Sequence, residues 1–193
     1  MIVLLDNGHG IETRGKRSPK FEDGRQLLEW QYCRLVVAAI SDKLNSLNIE
    51  NRIIVPTDHD VPLSERVEIT NDYCKKESCI LVSVHCNASK SCGEWGTATG
   101  WEIWTTTKKN NSDKLAECFK EEFYNIMPKD KRFRGCKEKD FFILRKANCP
   151  CVLTENFFMD TMDDCEYMLS EEGFWNIVDL HVAAIVKYIN EKQ

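Results

Sequence analysis

Three stretches of this chain are almost continuously apolar and then reach a residue able to do chemistry: IVLLDNGHG from residue 2, CILVSVHCN from residue 79 and CVLTENFF from residue 151. A strand with one wet face alternates apolar and polar residues; a strand covered on both faces does not. These runs therefore describe a sheet in the interior with helices on both faces, supplied by the segments between the runs. The fold class expected is α/β, a single domain on a mostly parallel, twisted sheet of about six strands. They are Ile2–Asp6, Arg52–Val55, Cys79–His85, Gly100–Thr106, Asp140–Arg145 and Cys151–Asn156.

The helices follow from 3.6-residue periodicity. One starts near Glu29 and runs to Leu47, with Cys33, Val36, Ile40, Leu44 and Leu47 on one face. A second spans about Leu63 to Lys76. Ser112 is placed to cap a third, whose face is Leu115, Phe119, Phe123 and Ile126. The last covers about Phe174 to Ile189. Residues 10–26 and 86–99 read as long polar loops.

A chain of 193 residues suits one domain over 1–193, and the net charge of −5 has no basic stripe within it. Nucleic acid and an anionic membrane surface are excluded as expected partners. No stretch reaches the roughly 20 apolar residues of a membrane span. The N-terminal Met1-Ile2-Val3-Leu4-Leu5-Asp6 lacks the basic start of a signal peptide, so the localisation is left open. The ten cysteines form no CxxC pair. They read as reduced, mostly buried thiols, with structural disulfides or a cysteine metal site as the lesser alternatives.

In an open α/β sheet, ligands bind beyond the carboxyl ends of the strands. The first run leads into His9, the third strand into His85, and the last strand carries Glu155. Glu29 heads the apolar face of the first helix, so it points inward and must be paired or bound to something. Two imidazoles and a carboxylate suit catalytic zinc, with one position left for water. Such a site needs a base that is not a ligand, and Glu155 stands at the same rim. Asp6 can orient an imidazole from behind, or cap the turn before Gly8. Each residue alone also has a plain structural role, such as a satisfied histidine or a helix N-terminal acid. His181 sits on an apolar helix line and reads as core; His59, in a polar turn, faces solvent. Of Trp95, Trp101 and Trp104, alternation in WEIW puts at least one in the core.

The chain resembles the zinc-dependent N-acetylmuramoyl-L-alanine amidases of the amidase-3 family. The ordered motifs LLDNGHG, LLEWQYC, VPLSERVEITN, SVHCNAS, TGWEIWT and RGCKEKDFFILRKANCPCVLTENFF carry the resemblance over nearly its whole length. It implies one Zn²⁺ held by His9, Glu29 and His85, with Glu155 as catalytic base. The reaction implied is hydrolysis of the amide between N-acetylmuramic acid and L-alanine in peptidoglycan. Asn87, which follows the second histidine motif, is expected to bind substrate, and Arg145 is placed to clamp a stem-peptide carboxylate, or to be a plain surface arginine. The alternatives are a zinc peptidase or deacetylase acting on another acyl bond, and a silent peptidoglycan-binding module.

This sequence departs from the family where Asn7 replaces Pro, Ile11 replaces Gly, and Asn156-Phe157-Phe158 replaces x-Gly-Phe after the base. Thr106 to Ser112 leaves no room for the inhibitory helix that some relatives insert there. The expectations are an open site, no activator protein, a monomer, and action at the cell wall on peptidoglycan or muropeptides.

Overall fold

The first apolar run forms β1, Ile2–Asn7, with every residue buried. The computed structural model describes residues 1–90, 93–107 and 111–192. β1 pairs in parallel with β2 (Asn51–Ile53) and with β3 (Cys79–Asn87), and β3 pairs in parallel with a strand at Cys151–Phe158. That strand is β6; it is followed across the sheet by β4 (Trp101–Thr105), antiparallel to it, and by β5 (Phe133–Glu138), parallel to β4. The order across the six strands is β2-β1-β3-β6-β4-β5.

Alternation along the strands divides their side chains between two cores. Val3, Leu5, Ile80, Val82, Val84 and Val152 enter the larger one. It is covered by α1 (Glu29–Ser46), α3 (Asn111–Ile126), α5 (Met162–Leu169) and α6 (Glu171–Asn190). Ile2, Leu4, Cys79, Leu81, Cys151 and Leu153 enter the smaller one, under α2 (Leu63–Cys74) and α4 (Phe142–Lys146). α6 is the most apolar helix and buries Ile177, Val178, Leu180, Ala184 and Ile185 completely. Each of the valine, leucine and isoleucine side chains contributes about 1.5–3 kcal/mol relative to exposure. Among the described residues no helix is long and apolar enough to cross a membrane.

The structure corrects two sequence expectations. Asp140–Arg145 is not a strand: Phe142–Lys146 forms α4, which turns Ile143 and Leu144 onto the smaller core and leaves Arg145 exposed. A short apolar run carries no period to separate strand from helix. The fifth strand is instead Phe133–Glu138, an edge strand of half-exposed and charged residues with a register shift against β4. Edges of this kind are polar by necessity and leave no apolar signature. Smaller differences lie at helix ends. Ser112 sits inside α3, where its hydroxyl accepts from the Cys151 N–H at 3.0 Å. Met127 is buried where Ile126 was expected. α6 begins earlier than expected, capped by Ser170, whose hydroxyl accepts from the Gly173 N–H at 3.0 Å. The segment between Thr105 and Asn111 is short, and its residues 108–110 lie outside the described ones.

Candidate active site

β1 ends in a turn whose strained residue is the histidine itself. His9 has φ +63°, a left-handed conformation that non-glycine residues avoid. The flanking glycines, Gly8 and Gly10, do not have positive φ. They are needed for room. A Cβ on Gly8 would lie 2.2 Å from His85 Cε1, and one on Gly10 would lie 2.1 Å from the Asp60 nitrogen. The His9 carbonyl accepts from Arg34 Nη2 at 3.1 Å and from Arg66 Nη2 at 3.4 Å, which holds the strained turn in place.

The turn aims His9 at Glu29, the first residue of α1. Glu29 Oε1 lies 3.4 Å from His9 Nε2 and 3.2 Å from His85 Nδ1, and it accepts from the Cys86 N–H at 3.1 Å. One donor atom from each of His9, Glu29 and His85 lies within 4.8 Å of the other two. Ligands 2.0–2.2 Å from a tetrahedral centre are separated by roughly 3.3–3.6 Å, close to the 3.4 and 3.2 Å that separate Glu29 from the two imidazoles. Glu29 Oε2 is buried with no hydrogen-bond partner among the described residues, which suits it to bind a metal ion. Burial pushes the Glu29 pKa up, but hydrogen bonds and charge from His85 and His9 outweigh it and hold the carboxyl well below the usual range. Burial likewise opposes a charge on His85, and the Glu29 hydrogen bond overrides it and raises that pKa.

Glu155 faces this triad because β6 pairs with β3 in a register that sets it beside His85, while β4 sets Glu102 on its other side. Its Oε2 is buried without a partner among the described residues. Burial is the main force on it, helped by Glu29 and Glu102 and opposed by His85 and, least, Lys16; the pKa is pushed up to about 7. A carboxylate that exchanges its proton near pH 7 is suited to general acid–base work. Glu102 is itself buried and held by Arg134 at 2.6 Å and Lys137 at 2.5 Å.

Asp6 supports the site from behind. Its oxygens accept from Arg66 Nη1 at 2.7 Å and from the Ser83 hydroxyl at 2.5 Å. It therefore reaches the His9 turn through Arg66. Arg66, on α2, also donates to the carbonyls of Val61, Asn7 and His9 and to Asp60, so all five of its N–H groups are engaged. The sequence placed Arg66 in a motif without assigning it this role.

His9, His85 and Glu155 open onto a cavity of about 520 Å³ that Lys16, Arg66, Leu63 and Phe141 through Ile143 also line. Arg145 is not on its wall; its guanidinium sits over the Phe142 ring, 5.9 Å from the centroid. Asn87 is not on it either: its amide donates to Glu102 Oε1 at 2.9 Å. Of the tryptophans, Trp101 is fully buried and donates to Asn156 at 2.7 Å, while Trp104 and Trp95 pack on Phe141 and Phe21. His181 is core, and His59 is exposed and paired with Glu12. The nine described cysteines are free thiols; Cys92 lies outside the described residues. Lys16, in a loop without period or motif, was missed by the sequence reading.

The Amidase_3 family model, N-acetylmuramoyl-L-alanine amidase, matches residues 3–187. The chain belongs to this family. Such amidases are hydrolases of cell-wall amide bonds, and the chain is an enzyme of that class. An endolysin of Bacillus phage SPP1 is 27% identical over 197 residues, spanning 100% of this chain and 67% of that protein. The amidase CwlM of Bacillus licheniformis is 25% identical over 197 residues, 97% of this chain and 68% of that one. The crystal structure of an N-acetylmuramoyl-L-alanine amidase from Clostridium difficile 630 superposes with a TM-score of 0.84 at 25% identity, covering 100% and 98% of the two chains.

Proposed function

We propose that this amidase is zinc-dependent and cleaves the amide between N-acetylmuramic acid and the L-alanine of the stem peptide. His9, Glu29 and His85 hold the ion and Glu155 is the base. The observation that carries this reading is the donor triad facing an unpartnered Glu155 across one cavity. Bound zinc supplies a water of lowered pKa and polarises the lactyl carbonyl.

The chain's own residues do the rest. Glu155, with a pKa near that of its working medium, takes a proton from the attacking water and returns it to the leaving alanine amine. Glu29, fixed by the Cys86 N–H and by both imidazoles, holds the rings at metal-binding distance from one another. Arg34 and Arg66 keep the His9 turn from relaxing, which preserves the geometry between turns of the cycle. In this reading the enzyme acts on peptidoglycan or muropeptides at the cell wall, as a monomer and without an activator protein. Asp6 acts only as a support.

Incubation of the zinc-loaded protein and its Glu155→Ala variant with purified muropeptides tests the proposal. Wild type releases intact stem peptides with a free L-alanine amine, and the variant is slower by about 10²–10⁴-fold. Cleavage at another acyl bond would assign the enzyme to peptidase or deacetylase chemistry. Equal inertness of both proteins would refute the catalytic reading.

A further inference from the structure

We infer that Lys16 binds a carboxylate on the peptide side of the scissile amide and makes the enzyme prefer stems that carry that group as a free acid. The inference rests on the proposed amidase reaction and adds a specificity determinant to it.

Among the described residues, Lys16 and Arg66 are the two Lys or Arg side chains on the cavity wall. Arg66 has no N–H left to offer, because two carboxylates and three backbone carbonyls occupy all five. Of the wall carboxylates, Asp6 and Asp60 are both paired with that same arginine, and Glu155 forms no ion pair with Lys16 among the described residues. Lys16 is half-buried and, among the described residues, its ammonium has no ion-pair or hydrogen-bond partner. A partly desolvated ammonium facing a cavity without a counter-ion is a ready anion site.

Its position is also fixed. The Lys16 carbonyl accepts from the Glu29 N–H at 3.1 Å, and Arg17 pairs with Leu28 in an isolated bridge. The backbone that carries the lysine is thus tied to the residue that opens α1, itself a proposed metal ligand. A role in charging Glu155 explains less, since burial, His85, Glu29 and Glu102 each act on that group more strongly than Lys16 does.

The substrate's chemistry selects the anion. On the acyl side of the bond stand a neutral acetylated sugar and its lactyl ether, whose carboxyl is consumed in the amide. The peptide side carries free carboxylates within a residue or two of the cut. Only that side offers Lys16 a charge.

The test uses N-acetylmuramoyl-L-alanyl-D-glutamate and its counterpart with both glutamate carboxyls converted to amides. Zinc-loaded wild type, Lys16→Met and Lys16→Arg are compared by amine release, with thermal unfolding as the folding control. Wild type favours the free acid by about 10- to 100-fold in kcat/KM, carried mostly by KM, as a charged hydrogen bond to substrate would give. Lys16→Met brings the ratio close to 1, and Lys16→Arg keeps most of it. Calorimetric binding of both compounds to the Glu155→Gln protein, with and without Lys16→Met, reads the same preference without turnover. A wild type with no preference, or a Lys16→Met variant that weakens both compounds equally or neither, overturns the inference. A wild type that releases no amine from either compound refutes the amidase reading instead, and calorimetry still decides the role of Lys16.

Discussion

Acidifying the protein from pH 7 to pH 5 tests how completely the larger core excludes charge, and His181 is its probe. The ring is fully buried on α6, edge-on to Phe119 and Trp101. Its Nδ1–H donates to the Ile177 carbonyl at 2.7 Å, so Nε2 is left to accept from the Thr154 hydroxyl at 2.9 Å. A second proton would have to displace that hydroxyl and put a charge among aromatic rings. Burial accordingly lowers the pKa from 6.5 to about 4. Between those values the unfolded chain takes up a proton that the folded chain refuses. The stabilisation is therefore present above pH 6.5 and is lost as pH falls toward 4. At 1.36 kcal/mol per pH unit the full loss is about 3 kcal/mol, and about 2 kcal/mol is gone by pH 5. His181→Leu removes the proton site while roughly keeping the volume. The Thr154 hydroxyl can then turn to the Ser83 carbonyl, 3.4 Å away, so the variant costs only about 1–2 kcal/mol at pH 7. Urea unfolding of chelator-treated wild type and variant at both pH values measures the difference; other titrating groups are common to both proteins and cancel. Wild type leads at pH 7 and loses that lead at pH 5. A lead of the same size at both pH values would refute the argument, as would an imidazole NMR titration centred near 6.5.

Two further perturbations address the site. Asp6→Asn removes the buried one of the two carboxylates that pair with Arg66, at 2.7 Å, and leaves Asp60 at 3.1 Å, so it costs about 1.5–3 kcal/mol. In a chain of this size that is a fall in Tm of roughly 5–10 °C, read by calorimetry. Glu29→Gln leaves the fold intact by circular dichroism but lowers bound zinc well below one equivalent, measured by atomic absorption after dialysis; undiminished zinc would take Glu29 out of the ligand set.

What could be read in the sequence was whatever depends on neighbours close in the chain. Buried strands announce themselves by unbroken apolar runs, and α1 by its Cys33–Val36–Ile40 stripe; all are where they were expected. The meeting of His9, Glu29 and His85 was also legible, because parallel strands put their carboxyl ends on one rim. The failures share the opposite property. β5 is defined by its partner β4 and not by its own composition. Arg145 left the cavity because Ile143 and Leu144 are buried by a turn of helix, which no local alternation reveals. Lys16 owes its place to a hydrogen bond to residue 29 and its interest to the saturation of residue 66. Both are long-range facts.

The residues that depart from the family's pattern show the same division. At Ile11 the glycine of relatives is dispensable here: the residue does not have positive φ, its side chain is exposed, and its N–H reaches the Asp58 carbonyl at 2.8 Å. Asn7 keeps a hydrogen bond that proline lacks, from Nδ2 to the Val55 carbonyl at 3.2 Å, tying β1 to the segment just after β2. Phe157 is different. It stands at φ +63°, where the family's glycine would be relaxed, and its ring is fully buried against Tyr167 at 5.3 Å. Left-handed strain costs roughly 1–2 kcal/mol, and losing a buried phenylalanine costs about 3–5 kcal/mol, so burial wins and the strain is kept. The strained residue lies in the irregularity that shifts the β3–β6 register between the His85–Glu155 and Asn87–Phe158 pairs. A core side chain thus holds open the kink that β6 makes two residues after the proposed base, which a glycine would only permit.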